Sequence, residues 1–110
     1  MRTISSQRFL DEDVVSRKMK LPRDMLVVRV LDVTLRGALY RVILDGHHAH
    51  EAARRRGVPP VFKKPDGMIR RMQRDNPDGF ERFLINNLTD SEWYDVLTGE
   101  VVVELLGREP

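Results

Sequence analysis

Three histidines, His47, His48 and His50, stand between Asp45-Gly46 and Glu51, and they are the only histidines in the chain. Imidazole changes charge near neutral pH, so such a group can move protons, donate to phosphate or ligate a metal. In a catalytic reading, His47 or His48 is the general base, with Asp45 or Glu51 assisting or holding a metal. In a binding reading, Gly46, His47, His48 and His50 surround the start of a helix, whose free N–H groups and dipole favour an anion. Arg54 and Arg55, one to two turns later, extend the positive charge. In the plainest reading, His47 or His48 caps the helix and bonds local carbonyls while Asp45 orders the turn. His47 and Glu51 are spaced i,i+4 and His47 and His50 i,i+3, so each pair can share a face. A zinc site needs a third protein ligand, however, and neither a further His nor any Cys exists. No metal site is therefore expected.

A second feature is the charge distribution. Arg54–Arg74 contains eight Lys/Arg and a single acid, Asp66, whereas from Asp75 onward nine acids face only Arg82 and Arg108. Lys63, Lys64, Arg70, Arg71 and Arg74 are the candidate nucleic-acid patch. The competing reading is a solvated helix face with charges placed at helix ends. No serine lies in a nucleophile turn, no phosphate-binding glycine loop is present, and one Trp and two Tyr make no stacking platform.

These side chains need a scaffold. A chain of 110 residues, 41% hydrophobic and 33% charged, is sized for one domain with a single core. The absence of Cys removes disulfides, thiolate chemistry and Cys-based zinc sites. No apolar run approaches a membrane span and no signal-peptide core is evident, so a cytoplasmic protein without a membrane partner is expected.

Taken in order, residues 1–8 are polar and are expected to be poorly ordered. Acids at 11–13 and bases at 17, 18 and 20 predict a short helix ending before Pro22. Met25–Leu35, rich in β-branched residues, predicts a strand, Gly37 a hairpin turn, and Leu39–Leu44 the returning strand. After Asp45-Gly46 the period changes: Ala49, Ala52 and Ala53 mark one face of a helix that Gly57 ends. Val58–Phe62 reads as a strand that Pro59-Pro60 confine to an edge. Residues 66–88 read as helical. Asp66 caps Met68–Arg74, with Met68, Ile69 and Met72 inward, and Asn76-Pro77 opens Pro77–Leu88, with Phe80, Phe83, Leu84 and Leu88 as its stripe. Thr89-Asp90-Ser91 ends that helix, and residues 93–106 read as a hairpin turning at Thr98-Gly99, with a short helix through Trp93–Leu97 as the competing reading. Strands and helices together predict an α+β (mixed α/β) fold.

The run of a hydrophobic strand, Asp45-Gly46-His47-His48, Glu51-Ala52-Ala53 and Gly57-Val58-Pro59 resembles the ParB/sulfiredoxin-like superfamily over residues 26–62. That group includes partition-protein nucleotide-binding domains, sulfiredoxins and ParB-like kinases for free serine. The resemblance implies a small ParB-like single domain over residues 1–110, with a mixed sheet and packed helices. It implies a phosphate approached by the Gly46 backbone, and a nucleotide with Mg²⁺ as ligand. His47 stands where sulfiredoxins have Cys and ParB proteins Glu, and His48 stands at the sulfiredoxin His and the first ParB Arg. Ala49 stands where all three groups place a phosphate-gripping Arg, a departure that removes a bidentate donor. Without Cys, sulfiredoxin activity is excluded.

Three functions follow as expectations. One is a ParB-like module binding a nucleotide or nucleic-acid phosphate at Gly46–His50, in a plasmid, phage or chromosome setting. Another is a nuclease or phosphotransferase using His47 or His48. The third is a degenerate, non-catalytic domain that binds protein or DNA through its charged faces. A protein partner or a homo-oligomer fits the third.

Overall fold

The computed structural model describes residues 1–87 and 92–106, and it is a mixed α+β fold. Five strands, β1 (Arg2–Ser5), β2 (Val27–Leu35), β3 (Ala38–Asp45), β4 (Val61–Lys63) and β5 (Tyr94–Asp95), form one sheet in the order β4-β2-β3-β1-β5. Four helices join them: α1 (Glu12–Lys18), α2 (His47–Arg56), α3 (Gly67–Asp75) and α4 (Pro77–Asn87).

The β2–β3 hairpin is the centre of the sheet. Its two turn residues, Arg36 and Gly37, both take positive φ, 49° and 85°, the geometry that matches the twist of paired strands. The register runs Val30↔Ile43, Leu31↔Val42, Asp32↔Arg41 and Val33↔Tyr40, then shifts so that Arg29 faces Asp45. Leu44 is thus an extra residue, a bulge just ahead of the Gly46 turn.

Alternate residues of β2 point to opposite faces. Leu31, Val33 and Leu35 join Tyr40, Val42, Phe80 and Leu84 in the larger core, placing α4 on one face. Val28 packs with Ile43 and Ala49, placing α2 on the other. Ala52 and Ala53 meet Val15 and Leu26 behind it, so α1 covers the back of α2. The small Ala side chains explain why α2 lies so close to the sheet. The caps expected at Asp66 and Asn76 have their hydrogen bonds, the Asp66 carboxylate accepting from the Ile69 amide and the Asn76 side chain from that of Gly79. By contrast, α2 starts at Gly46 with no side-chain cap from His47 or His48.

Several expectations are corrected. The N-terminus forms β1, parallel to β3 and antiparallel to β5, with Ile4 fully buried. Its one apolar anchor is a weak sequence signal, but backbone bonds on both sides hold it. β4 begins only at Val61, because Pro59 and Pro60 cannot enter the ladder. Met68 and Met72 are 60% and 37% exposed, not inward, since α3 has only Ile69 packed against the core. The 93–106 hairpin is short: Tyr94 bridges Val101, Gly99 takes φ 76°, and Val103–Leu105 winds into a 3-10 turn. Leu88 and Thr89–Ser91 lie outside the described residues.

Candidate functional site

The bulged end of β3 delivers Asp45 and Gly46 to the start of α2. Gly46 takes φ 93°, and a Cβ there would sit 2.6 Å from the Val27 carbonyl oxygen and 3.0 Å from the Val28 Cα. Its close approach is therefore to β2, and this packing accounts for the glycine without a ligand.

Both candidate bases are engaged by the segment before α1. The Asp11 amide donates to Nε2 of His48 at 3.0 Å, and Nε2 of His47 lies 3.0 Å from the Phe9 carbonyl oxygen. The two rings lie 4.1 Å apart between centroids, tilted by 44°. As an acceptor, Nε2 of His48 carries no proton. Burial, then the neighbouring His47, hold its pKa below the ordinary imidazole value, with Asp11 opposing and Lys18 adding slightly. His50 is also pushed down by burial. Phe9 and Asp11 were not legible as partners of the histidines, because nothing in their spacing ties them to a helix thirty-odd positions on.

The two arginines expected to reinforce an anion site are committed elsewhere. Arg54 donates to both Glu51 oxygens, and Arg55 donates to Glu51 at 2.9 Å and to both oxygens of Glu12 at 2.7 and 2.9 Å. Hydrogen bonds from Arg54 depress the Glu51 pKa, and the bond to Arg55 depresses that of Glu12. Arg55 is thus the clasp between α2 and α1, held on its own helix by Glu51 and on α1 by Glu12. Ala49 is 1% exposed against the sheet. Among the described residues no three His, Asp or Glu side chains gather as metal ligands, and no helix is long and apolar enough to cross a membrane.

The basic patch is divided. Arg74 pairs with Asp75 at 2.9 Å. Lys63, Lys64 and Arg70 instead border an open groove of about 380 Å³ between the sheet edge and α3. Val30, Leu31 and Asp32 of β2 form its floor, and Phe62 of β4 and Gln73 of α3 complete its sides. Arg41 neutralises Asp32 through two bonds of 2.9 and 3.2 Å, and its guanidinium lies 5.0 Å from the Phe62 ring centroid. Arg71 lies apart, beside a second groove of about 450 Å³ lined by Met68, Met72 and Phe80. Sequence reasoning identified the groove's cations but not Val30, Asp32, Arg41 or Phe62. The only available signal was the bracketing of a very short strand by Pro59-Pro60 and Pro65.

No family model matches the chain, and no curated protein or solved structure is significantly similar to it.

Proposed function

We propose that this chain is an interaction module that takes up an anionic partner along the groove between β4 and α3, without chemistry at the Gly46 turn. One observation carries the reading. Lys63, Lys64 and Arg70 border an open groove and, among the described residues, make no ion pair, whereas Arg54 and Arg55 are neutralised by carboxylates. Exposed cations without carboxylate partners keep their attraction for a ligand's charge; paired ones must first give up a partner. The Gly46 turn serves the fold: its glycine admits β2, its histidines hold the α1 entrance, and Ala49 fills the space beneath α2.

The test is a binding titration against polyglutamate and duplex DNA at rising salt, with the wild type and the Lys63→Glu/Lys64→Glu/Arg70→Glu variant. Binding is expected to weaken steeply with salt, with a log–log slope of about −3 for three phosphate contacts on DNA. The triple variant should lose at least tenfold. Flat salt dependence, or wild-type binding by the variant, would falsify the reading. A thermal shift with CTP and Mg²⁺ that vanishes in His48→Ala would overturn it too, by assigning the ligand to the turn.

A further inference from the structure

We propose that the outer edge of β2 beyond Arg29 is a strand-addition site for an extended acidic peptide, an identity for the partner that rests on the anion-binding reading above. β2 is nine residues long and pairs with β3 along its inner side, but β4 covers only Val27–Arg29 on the outer side. Among the described residues no strand pairs with Val30–Leu35 there. The ladder stops for a chemical reason. β4 runs into Lys64-Pro65, and proline has no N–H to donate. Pro65 is buried and leads into α3, and the Arg29 guanidinium fixes the departing chain through the Lys64 carbonyl at 2.8 Å.

An edge strand turns the N–H and C=O of alternate residues outward, and an extended segment that pairs with them continues the sheet. The groove lies along this edge, so the same segment passes between Lys63 and Lys64 on one side and Arg70 on the other. Asp32, the carboxylate on the floor, is already neutralised by Arg41, so it does not repel an acidic chain. Phe62, 40% exposed, and Val30 offer apolar contact to the side chains between the acids. A peptide alternating acidic and apolar residues meets all three features. A nucleic-acid backbone carries the charge but has no amide ladder to pair with β2.

The experiment uses the full chain and three hexapeptides: alternating Glu-Val, and the same peptide N-methylated on either its odd or its even residues. Binding is read by fluorescence anisotropy, and protection by amide exchange of Val30–Leu35. The unmethylated peptide is expected to bind with salt-dependent affinity and to slow exchange of alternate β2 amides. One methylated register should lose at least tenfold while the other keeps its affinity. Equal binding of both methylated forms, with salt dependence intact, would overturn strand addition and leave the anion-binding reading standing. Binding of duplex DNA but not of the peptide, sensitive to Lys63→Glu/Lys64→Glu/Arg70→Glu, would replace the peptide by a nucleic acid. Binding of neither would overturn both.

Discussion

The Asp11 amide donates to Nε2 of His48 at 3.0 Å, joining the N-cap of α1 to the first turn of α2 across 37 positions. The Asp11 carboxylate also caps α1 by accepting from the Asp13 and Val14 amides. His48 thereby supports the residue that starts another helix.

This bond makes stability depend on pH. Burial and His47 depress the His48 pKa from 6.5 in the folded chain, and burial does the same to His50. Between the folded and unfolded values the unfolded chain binds more protons, so stability falls as pH falls. The contribution is complete above about pH 6.5 and is lost as pH drops through the folded values. Urea unfolding at pH 7.5 and 5.5 should show lower stability at 5.5. The difference should shrink in His48→Gln/His50→Gln. An equal pH dependence in that variant would remove the histidines as its cause. At pH 7.5, His48→Ala should cost about 1 kcal/mol, the usual worth of one hydrogen bond.

Two glycines with similar φ should respond very differently to substitution. Gly37 has φ 85° and open space where a Cβ would lie, so Gly37→Ala should cost about 1 kcal/mol from backbone strain alone. Gly46→Ala adds a clash with the β2 backbone at 2.6 Å, which no side-chain rotation relieves. It should cost about 3 kcal/mol or more. Chemical denaturation of the two variants measures the difference, and equal losses would mean that β2 and the turn separate easily.

Local chemistry explains what was legible in the sequence. Glycines at 37 and 57, the Asp66 and Asn76 caps and the three alanines each state their role within a few residues, whereas the reason for glycine at 46 is the distant β2 backbone. The illegible parts depend on contacts across long separations. Nothing near Arg2–Ser5 announces that β3 and β5 will flank it, and the partners of His47 and His48 come from Phe9 and Asp11. The basic run was visible, but not its full division: Glu51 can meet Arg55 within α2, whereas Glu12 reaches Arg55 only once α1 and α2 are packed. The stripe of α3 illustrates the opposite error. Its spacing predicts a buried methionine face, yet only Ile69 packs against the core and Met68 and Met72 line an open groove.

Asp95 should matter more to stability than its place in a short strand suggests. The residue is 7% exposed and its carboxylate accepts from the Arg2 side chain and from the Leu97 and Thr98 amides. Burial opposes its ionisation, but those donors hold its pKa below the ordinary carboxylate value. Asp95→Ala strips the turn amides of their acceptor and should cost about 2–3 kcal/mol. Arg2→Ala should cost less, because the amides remain satisfied. Thermal denaturation giving the reverse order would show that the ion pair, not the turn, is the main contribution.

An arginine at position 49, where the ParB/sulfiredoxin-like resemblance would place one, tests whether α2 can present a phosphate-binding side chain. Ala49 is 1% exposed and sits between Val28 and Ile43, so a guanidinium there must either enter the core unpaired or push α2 off the sheet. A buried charge without a partner is among the most costly substitutions, and Ala49→Arg should lose about 3–5 kcal/mol. It should gain no affinity for CTP with Mg²⁺, because the side chain starts from the face of α2 turned towards the sheet. Thermal melts with and without the nucleotide are the measurement. An Ala49→Arg protein that keeps its melting temperature and is raised further by CTP would show that the helix can turn its first residues outward. The Gly46 turn would then be the better candidate for the binding site.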